Sequence, residues 1–310
     1  MKRPGASAPG KALLCGEYAV LDGAPAVIAA VDRRVHVSWT EDLIPMTGEV
    51  EATASLAQAA LGQLDGSLRL DAGELHRDEI KLGLGSSAAA AAAAAGAVFA
   101  AHGRSLEDPA TLKELFGLAF EGHASIAPQG SGADVAAAVF GGFLRFERTG
   151  EQISTRALGC PEGLEIRLVW TGHAARTSEL VGKVKELERQ EPDRYRSCME
   201  RLTQLATEFA HAFEAGNAME VVATAGSYAL AMGALGDAAE APILEARLER
   251  AAKLASDFSG SAKPCGAGGG DVAIAFFVEP DEAGGFELAC GEEGLHPIDV
   301  SWGAKGVQAR

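Results

Sequence analysis

The pattern of apolar and polar positions divides the chain into short strands and longer helices. Alternating positions over Leu164–Trp170 predict a strand, and apolar runs over Pro25–Val37 and Val272–Val278 predict two more. Elsewhere apolar residues recur at spacings of three and four, as they do on the buried face of a helix. This spacing predicts three consecutive helices, at Arg194–Ala215, Ala218–Leu235 and Pro242–Ser256.

An uncharged stretch, Leu82–Ala101, predicts a further helix, because an unbroken alanine run fills its centre. Alanine has the highest helix propensity, and Ser86 or Ser87 suits the N-cap position. Asp108 before Pro109 predicts the start of the next helix. A membrane span is not favoured for the alanine run, since alanine is only marginally apolar and such spans are rich in leucine and isoleucine.

Two glycines and a lysine stand immediately before the alanine helix. Gly83 and Gly85 allow a tight turn, which directs free N–H groups and the positive end of the helix dipole at one point. Lys81 adds a full positive charge, so the stretch is suited to hold the phosphates of a nucleotide triphosphate. A glycine turn before a plain core helix is the competing interpretation.

The order of residues excludes a P-loop, in which a lysine followed by serine or threonine comes after the second glycine. The spacing Gly83-x-Gly85-x-x-Ala88 also fits a loose dinucleotide fingerprint, which needs an acidic residue about 20 positions later at a strand end. Glu107 and Asp108 lie near that distance but precede a predicted helix. A nicotinamide enzyme is therefore kept as an alternative.

Composition and charge restrict the partners. The 310 residues are 47% hydrophobic, enough for a large core that is most naturally split into two domains. A net charge of −16 predicts a surface that repels nucleic acid and anionic membranes, so an anionic substrate needs a local basic pocket. The five scattered cysteines indicate neither disulfides nor a zinc site. Because the start of the chain lacks an apolar signal core, we expect a cytoplasmic protein.

Three further segments place polar residues beside glycines. Lys11 follows a Pro-Gly turn, and Glu17 stands within an apolar run, where an unpaired carboxylate is unusual. Asp134 lies between a glycine turn and an alanine-rich run, and it suits a helix N-cap as well as a catalytic position. The loop Lys263–Asp271 holds so many glycines that close approach of its backbone to a ligand is indicated.

Three of these segments form an ordered set: Pro-Gly-Lys-Ala…Gly-Glu-Tyr-Ala-Val from Pro9, Gly-Leu-Gly-Ser-Ser-Ala from Gly83, and Lys-Pro-Cys-Gly-Ala-Gly-Gly-Gly-Asp from Lys263. They resemble the motifs of the galactokinase, homoserine kinase, mevalonate kinase and phosphomevalonate kinase (GHMP kinase) superfamily. The resemblance implies a two-domain α+β fold. A ribosomal protein S5 domain 2-like domain would span 1–160 and a ferredoxin-like domain 161–310, with ATP and substrate in the cleft between them.

The resemblance also implies roles for particular residues. Asp134 would lie beside the acceptor oxygen and Lys11 beside Asp134, while Ser86 or Ser87, with Glu121, would hold Mg²⁺. The ATP-binding residues would be Lys81, Gly83, Leu84, Gly85, Ser86, Ser87 and Ala88 in one segment, and Gly266, Ala267, Gly268 and Gly269 in the other.

Four details resemble phosphomevalonate kinases more than mevalonate kinases. They are Lys81 two residues before the first loop glycine, Asp-Val at Asp134, Trp-Thr-Gly from Trp170, and Asp271 at the end of the last loop. A short segment containing Pro128 departs from the resemblance. The implied reaction is ATP-dependent phosphorylation of phosphomevalonate to diphosphomevalonate, in the mevalonate route to isoprenoids. Mevalonate is the alternative acceptor.

Several assignments stay open from the sequence. Arg34, His173 and Arg176 are candidates for contacting the acceptor phosphate, although positions facing water explain them better. The small anionic substrate could be used by a monomer or a homodimer. A non-catalytic nucleotide-binding relative is a further alternative.

Overall fold

The structure, a computed structural model, describes residues 3–42, 44–46, 48–77 and 80–310. These residues form two compact units that alternate along the chain, whereas the sequence predicted one division after residue 160. Unit 1 comprises Met1–Ala12, Ile28–Leu144 and Ser301–Arg310, and unit 2 comprises Leu13–Val27 and Arg145–Val300. The segment read for a signal core begins with two residues that lie outside the described ranges.

Strands and helices follow one another in both units, which confirms the predicted α+β class. The strands are β1 (Ala6–Cys15), β2 (Ala26–Thr40), β3 (Ser67–Asp71), β4 (His76–Arg77), β5 (Ile80–Lys81), β6 (Phe143–Thr149), β7 (Gln152–Leu158), β8 (Glu165–Trp170), β9 (Ser261–Pro264), β10 (Val272–Phe277), β11 (His296–Ile298) and β12 (Gln308–Ala309). The helices are α1 (Gly48–Leu61), α2 (Ser86–Ala101), α3 (Pro109–Ile126), α4 (Ala133–Phe140), α5 (Thr177–Gln190), α6 (Pro192–Glu214), α7 (Ala218–Ala238), α8 (Ala246–Asp257) and α9 (Pro280–Glu292).

In unit 1 the strands β12, β1 and β2 are neighbours in that order, and β3 pairs with β2. The C-terminal segment belongs to this sheet, since Ala309 of β12 pairs with Ala6 of β1. Arg34 on β2 binds the same segment, because its guanidinium donates to the carbonyl oxygens of Lys305 at 2.8 Å and Gly306 at 2.7 Å. Arg34 therefore serves the backbone here, and its side chain is not available for an acceptor phosphate.

The alanine run forms α2, which confirms the predicted helix and also fits the core-helix interpretation. Residues Ala88–Ala95 are at most 4% exposed, and α2 packs against α1, α3 and α4. At Gly96 the helix approaches the sheet so closely that an added Cβ would lie 2.6 Å from Val307 Cγ2 and 3.0 Å from Ala6 Cβ. Small side chains let this helix be enclosed at such short range, which explains the alanine run.

Gly96→Ala is expected to destabilise the protein by about 1–3 kcal/mol, because the added methyl overpacks this contact. Gly117→Ala in α3 is the matched control: nothing lies within 4 Å of its added Cβ. There the higher helix propensity of alanine should stabilise the protein by about 0.5–1 kcal/mol. Denaturant unfolding of both variants gives the two free energies, and a gain in stability at both positions would contradict the close packing at Gly96.

Unit 2 contains an antiparallel sheet ordered β11-β8-β10-β9. The predicted strands at β8 and β10 and the predicted helices α6, α7 and α8 are confirmed. Helix α8 begins at Ala246 rather than at Pro242, because Glu245 is its N-cap and accepts hydrogen bonds from the N–H groups of Arg247 and Leu248.

One helix among the described residues, α7, is long and apolar enough to cross a membrane by length and composition. It packs against α6 and β9 of unit 2, and Tyr228, Met232 and Leu235 on it are fully buried. The core helix of a globular protein has the same properties, so α7 is explained by its packing.

Candidate active site

The turn before α2 has the geometry of an anion site. Gly83 and Gly85 adopt left-handed φ angles of 74° and 75°, and Gly85 is the N-cap of α2. The predicted serine cap is therefore wrong: Ser86 and Ser87 are already in the first helical turn, and no side chain caps it. The first backbone N–H groups of a helix have no partner within the helix, so those of α2 can donate to a bound anion.

Lys11 lies directly on this turn. Its backbone N–H donates to the carbonyl oxygen of Leu84 at 2.8 Å. A Cβ added to Gly85 would lie 2.8 Å from Lys11 Cγ and 2.9 Å from Lys11 Cε, so the lysine stem crosses the glycine at contact distance. The structure thus brings together two elements that the sequence only suggested, a basic side chain and the glycine turn that opens α2. Lys81, by contrast, is exposed on β5.

One α3 side chain that reaches α2 is His123. Its ring is 5% exposed, its Nε2 lies 3.3 Å from Ser87 Oγ, and its Cε1 would lie 3.8 Å from a Cβ on Gly130. Glu121, which the sequence paired with Ser87 at a metal site, is exposed. Successive helical residues are about 100° apart, so a residue two positions from His123 faces the other side of α3.

His123 is therefore the residue that sequence reasoning missed, and the packing of α3 against α2 brings it to Ser87. Among the described residues, no group of three or more His, Cys, Asp or Glu side chains could hold a metal ion. The metal roles of Ser87 and Glu121 stay predictions.

Asp134 stands in the first turn of α4, half-exposed. The N-cap of α4 is Gly132, at a φ of 88°, so the interpretation of Asp134 as a plain N-cap is wrong. The Phe120 ring fills the space beside Gly132, because its Cε2 would lie 2.5 Å from a Cβ added there. One carboxylate oxygen of Asp134 accepts the N–H of Val135 at 3.0 Å. Asp134 and Lys11 are both in unit 1.

The second glycine loop joins β9 to β10 in unit 2. Gly266, Gly268, Gly269 and Gly270 all have φ between 71° and 135°, which favours glycine. Gly268 also has no space for a side chain, because a Cβ there would lie 2.2 Å from the carbonyl oxygen of Ile243. The sequence indicated that these glycines allow close approach of the backbone to a ligand. Contacts within unit 2 explain part of this glycine content.

Asp271 connects this loop to the segment before α5. Its carboxylate accepts the N–H of Ala175 at 3.0 Å, and its backbone N–H donates to the carbonyl oxygen of His173 at 2.9 Å. His173 and Arg176 are both exposed, and Arg176 lies 3.7 Å from Glu179. The sequence analysis favoured positions facing water for these two residues, and their exposure agrees with that interpretation.

Comparison with known proteins agrees with this geometry. The family model described as the GHMP kinases N terminal domain matches residues 49–142, all within unit 1. Residues 49–142 are thus similar to the N-terminal domain of GHMP kinases. This confirms the resemblance based on the three motifs, of which the central one lies inside the matched range. The curated relatives that match most of the chain are named as kinases.

Related proteins carry two acceptor names. A phosphomevalonate kinase of Streptomyces sp. (strain CL190) is 27% identical over 86% of this chain and 88% of its own. A mevalonate kinase of Aeropyrum pernix is 28% identical over 91% of each chain. The solved structure of Streptococcus pneumoniae phosphomevalonate kinase in complex with phosphomevalonate and AMPPNP superposes with a TM-score of 0.80 at 19% identity, covering 96% of this chain and 99% of that chain. The fold is thus that of the GHMP kinases, as predicted.

Proposed function

We propose that this protein is a GHMP kinase that transfers the γ-phosphoryl group of ATP to phosphomevalonate and forms diphosphomevalonate. The observation that carries the proposal is Lys11 lying against the glycine turn that opens the uncapped α2. Support comes from the relative named phosphomevalonate kinase and from the similar fold of a protein solved with phosphomevalonate and AMPPNP.

The nucleotide is proposed to bind through main-chain N–H groups. In unit 1 the contacts would come from residues 83–88, with Lys81 supplying charge at the edge of the turn. In unit 2 the predicted contacts are residues 266–269, with donation from Ala267 and Gly268, because the N–H groups of Gly266 and Gly269 donate to Glu17 and Ile243. Main-chain donors and a helix N-terminus suit a polyphosphate, because they stabilise negative charge without a counter-charge that must be desolvated.

Phosphoryl transfer depends mainly on positioning and on stabilisation of charge. The second pKa of a phosphate monoester is about 6, so the attacking oxygen is mostly deprotonated at neutral pH. Asp134 then acts as an orienter and weak base for the acceptor. The Lys11 ammonium offsets the repulsion between the two anionic phosphates.

Mg²⁺ is the ion that this chemistry implies, and the donors present fit it in part. Magnesium is bound by few protein oxygens together with substrate phosphates. The Ser87 hydroxyl in the first turn of α2 suits that role, and Glu121, exposed on α3, is the predicted second ligand. When bound, the ion neutralises charge that develops on the phosphates.

An ADP-release assay on phosphomevalonate and on mevalonate tests the proposal. Turnover on phosphomevalonate, with mevalonate used at least about 10²-fold less efficiently, is the expected result, because a site built for a charged group rejects an analogue lacking it. Preference for mevalonate would favour the second candidate, which relatives such as the Aeropyrum pernix enzyme support. ATP binding without turnover on either acceptor would favour a non-catalytic relative.

The acceptor also predicts a pH dependence. The dianionic phosphate is the reactive form, and it gains a proton as the pH falls through about 6, so kcat/KM for the acceptor should fall below that pH. Initial rates between pH 5 and 8 measure the decline. Melting temperatures at the same pH values separate it from acid unfolding, and a flat profile with intact protein would argue against a titrating phosphate.

A further inference from the structure

A buried ion pair lies beneath the second glycine loop. Glu17 is 2% exposed and Lys263 is 1% exposed, and the Lys263 ammonium donates to Glu17 Oε1. The other carboxylate oxygen, Oε2, is buried and has no hydrogen-bond partner among the described residues. Such a pair costs free energy to desolvate, and well-packed apolar residues of similar size often give equal or higher stability. Stability alone therefore does not explain why the chain has these charges here.

The pair also contacts backbone groups, one on β1, where Lys263 donates to the carbonyl oxygen of Leu13 at 3.5 Å, and others near the loop. The Gly266 N–H donates to Glu17 Oε1 at 3.3 Å, and Lys263 donates to the carbonyl oxygen of Pro264 at 2.9 Å. The Tyr18 hydroxyl donates to the carbonyl oxygen of Ala267 at 2.6 Å.

Two further features show that the backbone conformation at Glu17 and Tyr18 is itself fixed by contacts. Tyr18 has a φ of 61°, a region that non-glycine residues rarely adopt and keep only when surrounding contacts impose it. The Tyr228 hydroxyl donates to the carbonyl oxygen of Glu17 at 2.7 Å. The strained backbone thus presents the Glu17 carboxylate and the Tyr18 hydroxyl to the loop together.

We propose that Glu17, Lys263 and the Tyr18 hydroxyl are positioning residues, which hold the loop Gly266–Gly270 in its anion-binding conformation before the nucleotide arrives. Glycine loops lose more conformational entropy on ordering than other loops. Here Gly266 donates to Glu17, and Gly269 donates to the carbonyl oxygen of Ile243 at 2.9 Å. The N–H groups of the remaining loop residues are then the ones that could donate to an anion. This proposal rests on the proposed nucleotide function of the loop.

Two variants test the role without leaving a lone buried charge. Tyr18→Phe removes only the hydroxyl, and the double variant Glu17→Leu/Lys263→Met removes both charges at similar volume. We expect an unchanged or higher melting temperature for the double variant. In both variants the KM for ATP should rise about tenfold or more while kcat changes less, because affinity falls with the fraction of correctly ordered loop.

Tyr195→Phe is the matched control, since it removes a hydroxyl that donates to Asp22 Oδ2 at 2.9 Å, in the same unit but in another contact. Its kinetic constants should match those of the unchanged protein. Hydrogen exchange of the amides at 265–271 is the second readout, with rates expected to rise about tenfold in the double variant. Unchanged KM together with unchanged amide exchange would overturn the proposal.

Failure of the proposed function gives a different result. If the unchanged protein transfers no phosphoryl group from ATP, the function is rejected and amide exchange alone decides the positioning role. A lower melting temperature with unchanged loop exchange would assign the ion pair a structural role only, and that result also overturns the proposal.

Discussion

Asp134→Asn is expected to lower kcat by about 10²-fold or more and to leave the fold intact. A positioned general base contributes about 10²–10⁴-fold to a rate. The lower end applies to a phosphate acceptor, whose oxygen is already deprotonated near neutral pH, and the upper end applies to an alcohol. Single-turnover rates with saturating ATP measure the loss on the chemical step.

The competing explanation for Asp134 is a favourable charge in the first turn of α4. Such a charge stabilises a helix by about 0.3–1 kcal/mol and has no effect on kcat. Glu49→Gln, in the first turn of α1, is the control for that effect. Equal, small losses of stability and near-normal turnover in both variants would remove Asp134 from the catalytic assignment.

Lys11→Met should lower kcat/KM by about 10²–10³-fold, the loss measured when one charge-stabilising donor is removed from an active site. Methionine keeps an unbranched stem that can still cross Gly85, so the contact with the glycine turn is preserved and the loss reports the ammonium. Steady-state kinetics with varied ATP and varied acceptor separate the effect on each substrate.

Lys113→Met is the control for removing a positive charge from this acidic protein, because Lys113 is exposed on α3. It should retain the kinetic constants of the unchanged enzyme. If Lys11→Met behaves like Lys113→Met, the contact between Lys11 and the glycine turn is structural and the proposed role of its charge is wrong.

Helices were predictable from the sequence where two local signals agreed. Asp108 and Pro109 gave both a capping side chain and a proline at the first position, and Asp108 accepts the Thr111 N–H at 2.9 Å as expected. At α2 the preference for serine at the N-cap position conflicted with the preceding glycine, and Gly85 became the N-cap. A left-handed φ at Gly85 ends the turn and leaves the serines inside the helix.

Tertiary contacts explain what the sequence could not show. Glu121 and His123 are two positions apart, and only the packing of α3 determines which of them meets Ser87. Glu17 was recognisable as an unusual buried carboxylate, but its partner Lys263 comes from the far end of the sequence. The alternation of the two units was also hidden, because strand pairing between β1 and β12 leaves no local pattern.

The last strand of unit 1 has a consequence for biosynthesis. Because β12 lies in Ser301–Arg310 and pairs with β1, a ribosome must synthesise every residue between these two strands before this sheet edge can form. Until then β1 presents an unpaired edge, which is a template for association with other chains. Nascent chains stalled before residue 301 should therefore depend on chaperones more than chains that include β12.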